Sequence, residues 1–93
     1  MNGPPYAITA VSVAHHGVLD LTFADGLTGE VEVIQRMWGP VFTEARTPEG
    51  FAAAKVDPEI GTVVWPGGAD LAPDTLYLRV KTGAWPSLDP STA

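Results

Sequence analysis

The stretch Leu19-Asp20-Leu21-Thr22-Phe23-Ala24-Asp25-Gly26-Leu27-Thr28-Gly29-Glu30-Val31-Glu32-Val33 decides the fold. Leu19, Leu21 and Phe23 alternate with Asp20 and Thr22, while Leu27, Val31 and Val33 alternate with Thr28, Glu30 and Glu32. That period of two belongs to strands with one face on a core and the other in water. Ala24-Asp25-Gly26 separates the runs, so they read as an antiparallel hairpin. A loop of these three residues, with Gly26 left-handed, pairs Phe23 with Leu27 and Leu19 with Val31 and keeps the large apolar side chains on one face. A two-residue Asp-Gly loop would set Leu21 against Glu30 and mix the faces.

Working outward, Ile8 to Ala14 is rich in β-branched residues and ends at His15-His16-Gly17, which reads as a first strand and a turn. Ile34 to Trp38 suits one helical turn, stopped by Gly39-Pro40. Thr47-Pro48 supplies an N-cap and a first-turn proline for a short helix through Phe51 to Ala54, with Glu49 near its positive end and Gly50 weakening it. Lys55 to Asp57 and Thr62 to Trp65 form a second hairpin around Pro58-Glu59-Ile60-Gly61. Pro66-Gly67-Gly68 breaks the chain, and Pro73 opens a helix with Leu76, Tyr77 and Val80 at helical spacing. The expected fold is α+β: an N-terminal antiparallel three-stranded meander, a second short hairpin, and two or three short helices. We assign a single domain over residues 1–81 and a mobile C-terminal tail over 82–93, where Gly, Pro and Ser dominate. The expected core comprises Leu19, Leu21, Phe23, Val31, Val33, Phe51, Trp65 and Leu76.

Ninety-three residues, 45% apolar and 17% charged, suit one globular core. Eleven acids against five Lys and Arg give a net charge of -6, which opposes direct binding to a phosphate backbone. Cysteine is absent, which removes thiolate catalysis, thiolate metal sites and disulfides. Met1 to Ala10 has no basic flank and carries Pro4 and Pro5 where a secretion signal needs an apolar run, and no stretch reaches membrane-spanning length. The expected location is the cytoplasm, with no membrane partner.

Few residues suggest chemistry. His15 and His16 are adjacent, so a strand points them to opposite faces, and no third ligand follows at a recognisable spacing; a solvated turn is the simpler reading. The hairpin register sets Asp20 opposite Glu30 on the outward face, roughly 5 Å apart at Cβ. Carboxylates so spaced occur in retaining glycosidases, but there a cleft raises one pKa, whereas this face is wet. Like charges in direct opposition cost stability, and a cationic partner covering them would relieve that cost. Gly67-Gly68 lacks the spacing of a phosphate loop, and no serine sits in a nucleophile elbow. Trp65, Pro66 and Tyr77 suit an aromatic recognition surface, but filling a small core is the reading favoured for them. We expect no metal and no cofactor.

The block Gly61-Thr62-Val63-Val64-Trp65-Pro66-Gly67-Gly68-Ala69-Asp70-Leu71-Ala72-Pro73-Asp74-Thr75-Leu76-Tyr77 resembles the signature of a small bacterial family, domain of unknown function 2442. The resemblance extends through Phe23-Ala24-Asp25-Gly26, Gly39-Pro40-Val41-Phe42, Phe51 and Val56-Asp57, covering most of the chain from Ile8 to Val80. Family members usually carry Asn at the position of Gly67, a change that a turn with positive φ accommodates. The resemblance implies a compact α+β domain without an established activity, often encoded beside another small protein as in toxin-antitoxin pairs. The resulting expectation is a non-enzymatic, antitoxin-like or accessory protein-binding module for a small basic protein, using Asp20, Glu30 and Glu32. A small enzyme or ligand binder with its site at the Trp65 to Asp74 turn is one alternative, and an acidic nucleic-acid mimic is another. Homo-oligomerisation stays open.

Overall fold

The computed structural model describes residues 4–85. Three strands, β1 (Ile8–His15), β2 (Val18–Phe23) and β3 (Thr28–Glu32), form an antiparallel sheet in the order β1-β2-β3. Leu19 stands opposite Val31 and Asp20 opposite Glu30. The loop closes through the Phe23 N–H on the Leu27 carbonyl at 2.8 Å and the Gly26 N–H on the Phe23 carbonyl at 2.9 Å, with Gly26 at φ 95°. This is the three-residue loop and the register that the alternation requires. On the other side of β2, Val11 faces Leu21 and Val13 faces Leu19, with irregularities between Ile8 and Ala10 and between Val13 and His15.

The second hairpin pairs β4 (Lys55–Asp57) with β5 (Thr62–Val64), Val56 opposite Val63. Its turn is fixed by the Asp57 carboxylate, which accepts the Glu59 N–H at 2.9 Å. The Gly61 carbonyl accepts the Ile8 N–H at 2.8 Å, tying this turn to the start of β1. Helix α1 (Pro48–Phe51) begins as expected: the Thr47 hydroxyl accepts the Gly50 N–H at 3.0 Å and Pro48 occupies the first turn. Helix α2 (Pro73–Thr82) ends at Gly83, left-handed at φ 79°, whose N–H bonds the Arg79 carbonyl at 2.9 Å. Single turns of 3-10 helix at Ile34–Arg36 and Pro40–Phe42 carry the chain between the sheet and α1.

All eight expected core residues are buried, joined by Ile8, Met37, Phe42, Ala45, Val63 and Ala69. Helix α2 lies on the inner face of β3, and the point of contact is Gly29: a Cβ there would come within 2.8 Å of Val80 Cγ1. Gly29 pairs with Leu21, so the inward row of β3 runs Leu27, Gly29, Val31 and Val33, with the gap in its apolar pattern filled by the helix.

The C-terminal end differs from a tail beginning at residue 82. Thr82 is the last helical residue, and Trp85 packs against the core between two guanidinium groups, 4.5 Å from Arg36 and 5.6 Å from Arg79. Stacking of the guanidinium groups on the indole offsets the conformational entropy lost in ordering this stretch. Residues 1–3 and 86–93, including the rest of the expected tail, lie outside the described residues.

Leu21→Ala should cost about 2–5 kcal/mol in urea melts, because the side chain is fully buried between two strands and the helix layer. Gly29→Ala should cost about 1–3 kcal/mol although alanine is the stiffer residue, because the added methyl overpacks Val80. Melts that coincide with wild type for both would contradict this packing.

Candidate functional site

Two groups of residues were singled out by sequence, and the fold places them on different surfaces. Strand alternation sends Asp20, Glu30 and Glu32 to the outer face of the sheet, where all three are exposed. Asp20 and Glu30 are directly opposed, and Glu32 stands one step along, opposite Val18. The same face carries Ala10, Ser12 and His15 from β1, Val18 and Thr22 from β2 and Thr28 from β3, with no lysine or arginine. The five cations lie elsewhere. Arg36 and Arg79 flank Trp85, Arg46 lies 5.8 Å from the Trp38 ring, Lys81 lies 5.5 Å from the Tyr77 ring, and Lys55 opens β4. Four of the five thus face aromatic rings, leaving the acidic face without a compensating charge of its own.

The signature residues belong to the layer beneath the inner face. Trp65 follows β5 and is buried; its indole N–H donates to the Phe51 carbonyl at 3.1 Å, and its ring meets Phe51 and Phe42 at 5.8 and 6.3 Å between centroids. The turn that follows is closed by the Trp65 N–H on the Ala69 carbonyl at 2.9 Å and the Gly68 N–H on the Trp65 carbonyl at 3.2 Å, and Val64 bridges to Asp70. Gly67 and Gly68 both sit at φ 97°, which residues with a Cβ adopt only under strain. Pro66, Gly67, Gly68 and Asp70 are exposed, whereas Ala69 is buried. Thr62 donates its hydroxyl to the Leu71 carbonyl at 2.5 Å, holding the return chain against β5 until Pro73 starts α2.

Tyr77 reaches from α2 to the hairpin loop. Its ring stands edge-on to Phe23 at 5.2 Å, and its hydroxyl donates to Asp25 Oδ2, while Asp25 Oδ1 accepts the Leu27 N–H at 2.9 Å. Both oxygens of this carboxylate are therefore engaged, one by the signature helix and one by the loop. The Tyr77 bond, followed by the Leu27 amide, holds Asp25 below the ordinary carboxylate value, and the same bond pushes the Tyr77 phenol above its ordinary value. Sequence reading missed this pair, whose members are 52 positions apart, because neither residue is unusual in its own stretch.

Three polar side chains of the signature are thus spent on the fold, the Trp65 indole and Thr62 hydroxyl on backbone carbonyls and the Tyr77 hydroxyl on Asp25, while Asp70 is exposed and Asp74 Oδ1 accepts the Thr75 N–H. A surface groove of about 720 Å³ lies between the start of β1 and the β4–β5 turn, lined by Tyr6, Ile8, Thr9, Val56, Ile60 and Gly61 among others, and touches the signature block at Gly61 and Pro73. A smaller hollow of about 160 Å³ includes Pro66 beside Glu44 and Glu49. Among the described residues, no three His, Asp or Glu side chains are grouped to hold one metal ion, and no helix is long and apolar enough to cross a membrane. His15 and His16 are exposed, His16 with its ring edge-on to Phe51 at 5.4 Å.

The Asp25–Tyr77 bond predicts a pH signature. The lowered Asp25 pKa contributes stability above the unfolded value near 3.8 that is lost as pH falls through the folded value. The raised Tyr77 pKa contributes stability below the unfolded value of 10.0 that is lost as pH rises through the folded value. The difference in urea midpoint between wild type and Tyr77→Phe should therefore be widest at neutral pH and narrow at both extremes. A difference that is flat with pH would show that the bond does not form in solution.

No curated protein and no solved structure matches the chain. A family model does match, over residues 8–82, from the first strand to the last residue of α2, and its description is "Protein of unknown function (DUF2442)". With the Trp65-Pro66-Gly67-Gly68-Ala69-Asp70 turn and the Pro73–Tyr77 segment inside that match, the chain belongs to the DUF2442 family.

Proposed function

We propose that this domain is a non-enzymatic protein-binding module, an antitoxin-like or accessory partner of a small basic protein, and that it binds through the outer face of the sheet at Asp20, Glu30 and Glu32. The observation that carries the reading is the opposition of Asp20 and Glu30 on a face that holds no lysine or arginine, while four of the five lysines and arginines lie over aromatic rings elsewhere. Two carboxylates in direct cross-strand opposition weaken the free sheet. A cationic partner converts that cost into binding energy, and its lysines or arginines replace the counter-charge that the face lacks. The bacterial origin that the family resemblance implies, and the cytoplasmic location expected from the cysteine-free composition, are part of the same proposal.

Binding and catalysis would use the chain differently. A catalytic site needs convergent polar groups with free valences inside a cleft. At the Trp65 turn, the glycines face water and the neighbouring side-chain donors are already engaged. The acidic face has the opposite character, with exposed charge on a rigid sheet, which steers encounter with an oppositely charged surface.

Association with the basic partner, captured from the native host and purified, should be fast at low salt and slow markedly as salt rises past a Debye length of about 10 Å. Asp20→Lys with Glu30→Lys should keep the fold and weaken the complex mainly through the association rate. Gly68→Val serves as the folding-defective control, since valine is strained at that φ. A partner that binds the double-lysine protein as quickly and as tightly as wild type would remove the acidic face from the interface.

A further inference from the structure

The edge of the sheet offered by β1 has a property that neither the acidic face nor the signature turn explains. Its eight residues, Ile8-Thr9-Ala10-Val11-Ser12-Val13-Ala14-His15, include no Asp, Glu, Lys, Arg or Pro, the residues that usually blunt an edge strand. Within it, Ala10-Val11-Ser12-Val13-Ala14 reads the same in both directions. Two copies of β1 laid antiparallel about Ser12 therefore meet residue for residue: Ser12 against Ser12, Val11 against Val13, Ala10 against Ala14. No large side chain meets a small one, and no charge meets its like.

The backbone is in phase for this pairing. The Phe23 N–H bonds across to Leu27, so alternate residues of β2 direct their amides to β3, and Thr22 and Asp20 direct theirs to β1. Ala10 and Ser12, their partners, consequently point inward along the sheet, and Val11 and Val13 present N–H and C=O groups to the open edge. The Ile8 N–H is taken by Gly61, but beyond it no residue of β1 makes a backbone hydrogen bond to β4 or β5 among the described residues. Antiparallel pairing about Ser12 would join the amides of Val11 in one copy to those of Val13 in the other, and the reverse. The two irregularities of β1 fall before Ala10 and after Val13, outside the pairs nearest the symmetry axis.

We propose that this edge is a self-association site, and that two copies of the chain pair β1 to β1 in a two-fold, six-stranded sheet. The chain's net charge of -6 makes most copy-to-copy contacts repulsive, and β1 is the edge that avoids this. The opposite edge, β3, would bring Glu30 and Glu32 against their own copies. In the β1 pairing the Asp20 rows lie three strand spacings apart, roughly 14 Å, which is beyond the screening length. The pair buries only one short strand per copy, so the dimer is weak and reversible. Its geometry sets both acidic faces on the same side of the joined sheet. The proposal goes beyond the protein-binding reading and does not depend on it.

The test is sedimentation equilibrium on the full chain from roughly 10 µM to 1 mM, together with amide exchange at both ends of that range. The average mass should rise with concentration towards that of two copies. The Val11 and Val13 amides should gain protection on dimerisation, whereas Ala10 and Ser12, already bonded to β2, should not change. Ser12→Asp, which opposes two carboxylates on the axis, should weaken association by about tenfold or more, and Ser12→Thr should leave it within about twofold. A mass constant at one copy across the range overturns the proposal, as does a dimer whose new protection lies outside β1 or which Ser12→Asp leaves intact. If Ser12→Asp fails to fold, the exchange pattern of the wild-type chain decides.

Discussion

The bond from the Phe23 N–H to the Leu27 carbonyl closes the first hairpin loop and sets the frame in which every residue of β2 and β3 faces inward or outward. Because side chains alternate strictly, a slip of one residue between the strands would mix the faces, sending either Asp20 and Thr22 or Glu30 and Glu32 into the core and the apolar side chains of that same strand into water. Each of those apolar side chains stabilises the fold by about 1.5–3 kcal/mol when buried, and each carboxylate forced inside would cost several kcal/mol. The frame therefore has no near competitor. It also fixes the charge of the outer face, so the core and the proposed binding surface share one physical origin.

Trp65 joins the remaining elements to that frame. Its indole spans from the end of β5 to the Phe51 carbonyl, and its ring closes on Phe42 and Phe51, so one side chain connects the second hairpin, α1 and the 3-10 turn. From Trp65 the chain makes the glycine turn, returns along β5 through Thr62 and Leu71, and enters α2, where Tyr77 reaches the hairpin loop at Asp25. The family's most recognisable block is thus the segment that connects the two layers. The Thr62, Trp65 and Tyr77 donors that a site for chemistry there could use are consumed by the fold.

The parts of the structure governed by local rules were legible in the sequence. Alternation placed the hairpin and its register, Thr47-Pro48 placed the start of α1, and Pro73 placed the start of α2. The acidic trio was legible for the same reason, since its positions follow from that register. Other features depend on contacts distant in sequence. Met37, Phe42 and Ala45 are buried from irregular segments that show no period of two or of 3.6. Gly50 reads as a weakness in α1, yet a Cβ there would run into the carbonyl of Glu44. Gly29 reads as a gap in a strand, and it is the groove for Val80. Trp85 stands in a stretch of coil-like composition, and only Arg36 and Arg79, brought together from a 3-10 turn and from α2, reveal its place.

The central claim is that register leaves Asp20 and Glu30 opposed without a counter-charge in the free domain, a strain that a partner relieves. The most direct measurement is the urea stability of Asp20→Asn beside wild type, at low and at high salt, in the absence of any partner. Removing one of the two opposed charges should stabilise the free domain by about 0.2–1 kcal/mol at low salt, and the gain should fade as salt screens the wild-type repulsion. A variant that is equally stable or less stable at low salt would show that the two carboxylates do not oppose each other, and the account of this face would fail.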